Sequence, residues 1–245
     1  MPAPTRRDRL RAETLDEIKA VSLRQLREVG AAQLSLRAVA TALGMSPAGL
    51  YRYFDSRDAL LTALITDAFD RLADAVEEAR DADPGADVAD RLLAALTAYR
   101  RWAVAHPQEF GLVYGTPVPG YTAPPDGPTS VATRRVGGAF TPLFAEAWQQ
   151  GRLLPSGEAE AEPDPALARY AAELHPGMPP AAAAAVLGAW TRTHGLVILE
   201  AFGHLRWLRH DTAPLAERQI RLLLTEIGLR PAAGGPAGRS RPRGH

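Results

Sequence analysis

Residues 35–60, SLRAVATALGMSPAGLYRYFDSRDAL, constrain the local fold more than any other part of the chain. From Leu36, apolar residues recur at i, i+3, i+4 and i+7, which predicts a short helix with one apolar face and Ser35 as its N-cap. Gly44 is placed to end this helix in the left-handed C′ conformation, which costs a glycine little. The pair at 46–47, Ser-Pro, supplies a new N-cap and first turn. Two helices joined by so short a turn must cross steeply, so the stretch predicts a helix-turn-helix.

The second of these helices, predicted over residues 47–54, presents a surface that suits the major groove of DNA. Its Leu50 and Phe54 are predicted to face the core. Arg37, on the first helix, and Arg52 are the candidates for contact with base edges, because arginine can bind guanine through two hydrogen bonds. The other candidates divide into small residues that allow close approach or touch a thymine methyl group, Ala48 and Gly49, and phosphate ligands, Ser46, Tyr51, Tyr53 and Arg57. The alternative is that a tyrosine belongs to the core and the arginines are only solvated.

The same residues carry a family resemblance. The pattern S-x-x-x-L-Y-x-Y-F, with a glycine two positions before the serine and S-R-x-x-L after it, resembles the TetR family of repressors over residues 12–64. The resemblance implies an all-helical protein that binds double-stranded DNA at an operator. It also implies a homodimer in which the last two helices of each subunit form a four-helix bundle.

The rest of the chain also reads as helical, because no alternating strand pattern and no internal repeat occurs. Residues 1–10 are basic and predicted to be mobile, and two readings of the arginines at the start of the chain stay open: Arg6, Arg7, Arg9 and Arg11 trail along the DNA backbone or are only solvated. Pro142 is predicted to kink or break its helix. The predicted helices span about 12–29, 56–84, 87–107, 108–114, 129–150, 166–174, 180–205 and 214–227. The expected fold is all-α, with a three-helix DNA-binding domain at 1–60, a helical-bundle domain for ligand sensing and dimerisation at 61–229, and a disordered tail at 230–245.

Charge and composition indicate in which cellular compartment the protein works and what kind of partner it binds. The 28 basic and 28 acidic residues cancel, but residues 1–60 hold ten basic against seven acidic residues, which suits a head that meets phosphates. The chain has no cysteine, so disulfides and thiolate metal sites are excluded. We expect a cytoplasmic protein without a membrane segment, because no apolar run approaches the ~20 residues that span a bilayer and residues 1–13 lack an apolar signal core.

A second resemblance concerns the sensor. AWTRTHGLVILEAFG, which contains Trp190, His194 and Gly195, resembles the C-terminal ligand domain named for its Trp-His-Gly motif, and AHPQEFGLVYG at 105–115 fits the same subset. A helical sensor takes small molecules in a mostly apolar cavity with a few polar anchors. The candidate ligand contacts are therefore Trp102, Phe110, Tyr114, Phe140, Trp148 and His194. The alternative is ordinary core packing, with His194 satisfied inside the fold.

Catalytic and metal chemistry find no support in the sequence. The histidines are scattered, and no H-E-x-x-H, G-x-S-x-G or phosphate-loop pattern occurs. We therefore expect no enzyme, no cofactor and no metal site. The sequence favours a homodimeric regulator, most often a repressor in this family, that binds a palindromic operator and is released by a small, mostly apolar effector. Two alternatives stay open: a DNA-binding regulator without a small ligand, and a helical enzyme with a vestigial head.

Overall fold

The computed structural model describes residues 5–154 and 164–232, and all the regular structure in these ranges is helical. This confirms the all-α prediction. Ten α-helices follow one another in the described ranges: α1 Arg6–Val29, α2 Leu36–Ala42, α3 Pro47–Tyr51, α4 Arg57–Asp81, α5 Val88–Ala105, α6 Pro107–Tyr114, α7 Pro128–Gln149, α8 Pro165–Leu174, α9 Pro180–Ala201 and α10 Ala213–Glu226. Two 3₁₀ turns join them, Ala31–Gln33 and Arg206–Leu208.

The described residues form two compact units. The first contains the residues up to Ala75 together with Arg101–Gly138, and the second contains Val76–Arg100 and the residues from Ala139 onward. Helices α4, α5 and α7 each contribute residues to both units. The functional division at 1–60 and 61–229 remains a prediction. Of the predicted tail, residues 233–245 lie outside the described ranges, whereas the backbone N–H of Ala232 donates to Asp90 Oδ1 at 2.8 Å.

Helix α1 begins at Arg6, six residues earlier than predicted, so the expectation of a mobile segment over residues 1–10 is wrong for the part that the structure describes. Thr5 and Asp8 form a capping box: the Asp8 N–H donates to Thr5 Oγ1 at 3.2 Å, and the Thr5 N–H donates to Asp8 Oδ2 at 3.1 Å. These hydrogen bonds from Thr5 lower the pKa of Asp8. The cap fixes the start of a helix whose first fully buried side chain is Ile18.

The helix-turn-helix has the caps and the glycine turn that the sequence predicts. Ser35 caps α2, and Gly44 follows it in the left-handed region with φ 65°. The N–H of Met45 then donates back to the Ala40 carbonyl at 2.9 Å, which satisfies a carbonyl at the helix end. Helix α3 ends at Tyr51 rather than at 54, so Arg52 and Tyr53 lie just beyond it. The buried core beneath consists of Ile18, Val21, Leu26, Leu34, Leu36, Val39, Ala40, Leu50, Phe54, Leu60, Leu61 and Leu64.

Two expectations for the later helices need correction. Helix α7 continues from Pro128 to Gln149, so the predicted break at Pro142 is wrong, while a kink there stays a prediction. Helix α9 extends over 22 residues and is long and apolar enough to cross a membrane by length and composition, so the expectation that no apolar run approaches this length is wrong. In the structure α9 packs against α8 and α10, and its Glu200 forms a buried ion pair with Arg100.

Candidate DNA interface and aromatic clusters

The candidate base contacts lie on the surface of a helix pair that is fixed from below. Arg37 and Arg52 are exposed, as is Ala48, while Leu50 is fully buried. Phe54 is also buried, which confirms the predicted anchoring of α3 by these two side chains. The apolar contacts hold the backbone in place, so the outward side chains of this surface are available to a ligand.

The capping serine of α3 leaves the first turn open to close approach. The Gly49 N–H donates to Ser46 Oγ at 3.1 Å, so this oxygen acts as an acceptor in the cap. The Ser46 O–H can still donate to a phosphate, because a hydroxyl donates and accepts at once. A Cβ atom at position 49 would come within 3.2 Å of Ser46 Oγ, so the glycine also keeps the cap undistorted.

The two tyrosines have different surroundings. Tyr51 is 45% exposed, so it is not part of the core. Tyr53 is half-buried, and its ring packs against the core of the helix-turn-helix. The guanidinium of Arg11 in α1 lies over the Tyr53 ring, 5.0 Å from its centroid, which is a cation–π geometry. Sequence reasoning missed this contact because it assigned no helix to the residues before 12.

Among the predicted DNA contacts, Arg57 differs most from expectation, because its guanidinium is bound within the protein. Its Nη2 donates to the carbonyl oxygen of Ala31 at 2.8 Å and to that of Ala32 at 3.4 Å, and its Nη1 lies 3.5 Å from Asp58 Oδ1. The side chain therefore fastens the start of α4 to the 3₁₀ turn that precedes α2. A contact between Arg57 and phosphate stays a prediction, but the structure adds an internal role that the sequence pattern did not indicate.

Behind the helix-turn-helix, a buried carboxylate joins three helices of the first unit. Glu109 in α6 is 5% exposed, and its Oε2 atom makes no hydrogen bond. Three basic groups surround the carboxylate: His106 Nδ1 lies 3.3 Å and Arg71 Nη2 of α4 lies 3.7 Å from Oε2, while Arg27 Nη2 of α1 lies 4.0 Å from Oε1. Sequence reasoning did not single out Glu109, because two of its three partners, Arg27 and Arg71, are distant in sequence.

The segment that follows α6 also rests on the helix-turn-helix. Val118 and Tyr121 lie in the predicted loop between α6 and α7 and pack against the same core, as does Leu112 of α6. The Tyr121 hydroxyl is 3.0 Å from Thr62 Oγ1 in α4. The loop therefore contacts the core of the helix-turn-helix through apolar side chains and α4 through a hydrogen bond.

Three of the predicted ligand contacts lie in the first unit. Phe110 and Tyr114, both in α6, have ring centroids 5.2 Å apart, and Tyr114 meets Phe69 of α4 edge to face at 5.7 Å. The ring of Trp102 in α5 instead lies against the ring of His106, with centroids 5.1 Å apart. Phe110 is fully buried and Trp102 is 7% exposed, which is equally typical of core packing.

A second aromatic cluster lies in the other unit and contains two more predicted contacts. His194 stacks on Trp190 with ring centroids 5.4 Å apart, and its Nδ1 shares a 2.6 Å hydrogen bond with the Tyr99 hydroxyl. The Phe140 ring lies near the rings of both Tyr99 and Trp190, with centroid separations of 6.5 Å and 5.9 Å. Burial lowers the pKa of His194, so its imidazole is neutral at pH 7. Trp148, half-buried in α7, is the sixth candidate.

Tyr99 was absent from the predicted site, although it is fully buried and touches every other member of this cluster. It lies in α5, 95 positions before His194, so only the tertiary structure brings the two together. Beside the cluster, Arg100 of α5 pairs with Glu200 of α9, and the Thr212 hydroxyl hydrogen-bonds to the same carboxylate. Within the described residues no group of three or more His, Asp or Glu side chains could hold a metal ion.

Comparison with known proteins shows to which family the chain belongs. The family model for bacterial regulatory proteins of the tetR family matches residues 18–64, and the model for the tetracyclin repressor-like C-terminal domain matches residues 92–223. The second match alone covers more than half of the chain. The chain belongs to the TetR family of transcriptional regulators. This confirms the expectation of a regulator rather than an enzyme, whereas membership of the Trp-His-Gly subset stays a prediction.

Relatives within the TetR family agree with this placement. The HTH-type transcriptional regulators Mb1846 of Mycobacterium bovis and Rv1816 of Mycobacterium tuberculosis are each 50% identical over 131 residues. The aligned residues are 53% of this chain and 56% of each relative, so the chain spans about half the length of the curated relatives it matches.

Solved structures resemble nearly the whole chain. The regulatory protein SCO4313 is 34% identical with a TM-score of 0.68, and the match covers 90% of this chain and 100% of SCO4313. A regulatory protein of the tetR family from Rhodococcus RHA1 shares the fold at 19% identity and a TM-score of 0.60, over 89% of this chain and 98% of that one.

Proposed function

We propose that this TetR family chain is a cytoplasmic, ligand-responsive repressor that binds a palindromic operator as a homodimer. The observation that carries the proposal is the exposed surface of α2 and α3, where Arg37 and Arg52 face outward from a helix pair anchored by Leu50 and Phe54. Helix-turn-helix proteins place such a second helix in the major groove. In each subunit, residues 1–60 bind DNA and residues 61–229 sense ligand and dimerise.

The residues of this surface take different parts in recognition. Arg37 and Arg52 contact base edges, and a bidentate arginine–guanine contact is worth roughly 1–3 kcal/mol of discrimination. Ala48 and Gly49 admit the backbone to the groove. Ser46, Tyr51, Tyr53 and Arg57 bind phosphates and fix the register of the head on the duplex.

The exposed sides of α9 and α10 supply the dimer interface of the proposal. Large apolar side chains are exposed along both helices and just after α9: Leu187, Leu199, Phe202, Leu215 and Leu222. Two glycines of α9 fall within this region, Gly188 and Gly195, and a Cβ atom at either would meet no atom of the described residues within 4 Å beyond the backbone of its own helix. An interior glycine costs a helix up to about 1 kcal/mol relative to alanine, which a close-packed neighbour would offset, and no residue in the described ranges fills this space. A second copy would cover the apolar side chains and use the space at the glycines.

A charge in this surface tests the dimer. Leu222→Asp should convert the dimer to a monomer, because an unpaired carboxylate would have to be buried in the interface. Sedimentation velocity measures the outcome, and Val131→Asp, the same kind of substitution at an exposed apolar residue of α7 outside this surface, is the control. A dimer that persists with Leu222→Asp would place the interface elsewhere.

The effector site of the proposal is the cluster of Tyr99, Phe140, Trp190 and His194. Three aromatic rings and one neutral imidazole suit a small, mostly apolar molecule with a single polar group. To release DNA the effector must bind one state of the protein more tightly, and coupling of this kind is typically about 1–3 kcal/mol.

Selection from random duplex DNA at a stated salt concentration, followed by sequencing, tests the whole proposal. A dimeric regulator should enrich a palindrome with half-sites about one helical turn, ~34 Å, apart. Salt-sensitive retention without any enriched sequence would contradict operator recognition. Small apolar molecules are then screened for release of the enriched duplex, and a dimer that binds the operator but responds to none of them would favour a regulator without a small ligand.

A further inference from the structure

The first two turns of α1 form an exposed helical extension of the DNA-binding head. Residues 5–13 are all exposed, and Leu10 is 63% exposed. The capping box of Thr5 and Asp8 holds the start of this segment, in place of apolar packing. Short helical segments without a packed apolar face are marginal in water, so this one gains stability from any partner that it binds.

One contact joins this extension to the residue pair that follows the recognition helix. The Arg11 guanidinium lies 5.0 Å from the centroid of the Tyr53 ring, and Tyr53 comes two residues after the end of α3. Arg7 is one turn before Arg11, and residues at i and i+4 share one side of a helix. Both arginines therefore lie on the side of α1 that is turned toward the end of the recognition helix.

The chemistry of this side fits phosphate. The segment holds four arginines, and of its two acidic residues Asp8 is engaged in the capping box with Thr5. Stacking on a tyrosine ring uses the flat surface of a guanidinium and leaves its in-plane N–H groups free to bind two oxygens at once. Tyr53 thus orients Arg11 without consuming its hydrogen-bonding capacity.

We propose that Arg7 and Arg11 bind backbone phosphates of the operator beside the half-site that α3 reads, with Tyr53 as the positioning residue for Arg11. This rests on the proposed function, in which α3 enters the major groove. The contacts are independent of sequence, and a homodimer gains four of them. They also order the exposed start of α1 on DNA.

The test compares the double variant Arg7→Ala, Arg11→Ala with the wild type and with Arg24→Ala, an exposed arginine further along α1. Affinity is measured for the selected operator and for a random-sequence duplex of equal length at several salt concentrations. Each lost phosphate contact lowers the slope of log K against log salt by about 0.9, so the double variant should lose about 3.6 in a dimer. Between 50 and 200 mM salt this reduces the fall in affinity by roughly 100-fold.

Several outcomes would separate this inference from the proposed function. If the wild type prefers its operator and the double variant keeps the wild-type slope, these arginines do not touch phosphate. A loss confined to the operator would mean that they read bases, which also overturns the inference. If the wild type shows no preferred sequence, the proposed function fails, and the slope on the random duplex still reports on Arg7 and Arg11.

Two further measurements guard against a structural explanation. Arg11→Lys keeps the charge and should keep most of the slope, while the loss of the planar guanidinium weakens binding at every salt concentration. Amide hydrogen exchange of residues 5–13 should slow when the wild type binds DNA, and unchanged exchange would contradict an ordered contact. Thermal unfolding of Arg24→Ala should match the wild type, and the variants at Arg11 should unfold only slightly earlier, because the substituted side chains are exposed and Arg11 makes one surface contact with the Tyr53 ring.

Discussion

The DNA-binding surface and the interior of the second unit use charged groups in opposite ways. On the surface, Arg37 and Arg52 are exposed and the fold depends on apolar residues beneath them. In the second unit, Arg100 and Glu200 are buried with side-chain exposures of 10% and 6%, and the Thr212 hydroxyl completes the group. Substitutions on the surface should therefore alter recognition without loss of stability, whereas those in the interior should alter both.

The largest effect is expected at the buried pair. Glu200→Gln leaves the Arg100 charge buried without a counter-charge, which should lower the free energy of unfolding by about 3–5 kcal/mol. Urea unfolding measures this. The matched control is Glu226→Gln, which breaks the exposed pair with Arg192 and should cost about 0–1 kcal/mol. Similar losses in the two variants would remove the distinction between interior and surface.

Arg57 should show interior behaviour although it lies in the DNA-binding head. Arg57→Ala removes the hydrogen bonds to the Ala31 and Ala32 carbonyls and should cost roughly 1.5–3 kcal/mol of stability. Thermal unfolding of the variant gives the shift. Salt-dependent DNA binding then shows whether a phosphate contact is lost as well, since that would lower the slope by about 0.9 per subunit. Unchanged stability with a lower slope would return Arg57 to a purely DNA-binding role.

Arg52 should show pure surface behaviour. Arg52→Ala should reduce discrimination between the operator and random DNA by roughly 1–3 kcal/mol per half-site, because a base contact is lost. Binding isotherms with the two duplexes at one salt concentration measure the ratio of affinities. The melting temperature should stay at the wild-type value, and equal losses on both duplexes would indicate a phosphate contact instead.

The smallest effect is a pH dependence that originates at His194. Its pKa is lowered by burial, so the unfolded chain binds a proton that the folded chain does not, in the window between the folded pKa and about 6.5. Stability from this group is present above that window and is lost as the pH falls through it. His194→Gln should flatten the dependence relative to the wild type, and chemical unfolding at pH values from 7 to 5 measures the difference. Identical profiles would show that other groups dominate.

The features that could be predicted from the sequence are those that depend on residues close together in the chain. The cap at Ser35, the left-handed Gly44 and the anchoring by Leu50 are local features, and each was predicted correctly. The capping box of Thr5 was equally local but was overlooked, because the basic composition of the segment favoured a mobile terminus. At Pro142 the local rule left a kink and a break open, and the continuous α7 rules out the break, since tertiary packing can hold a helix through a proline.

The predicted effector residues show where sequence reasoning stops. The periodicity identified aromatic residues on helices, but it could not tell that Trp102 and Phe110 lie in one unit while Phe140 and His194 lie in the other. Tyr99 was missed for the same reason, because its contact with His194 joins two helices that are far apart in the chain. Pairings of this kind depend on how helices pack, and a single sequence carries little information about that.

The anchoring of α3 by Leu50 and Phe54 also bears on how such a protein can change over time. After gene duplication, one copy could drift to a new operator through changes at the outward positions 37, 48 and 52 while the fold stays intact at every step. A protein engineer could follow the same path, randomising those three positions and recovering folded variants with altered target sites.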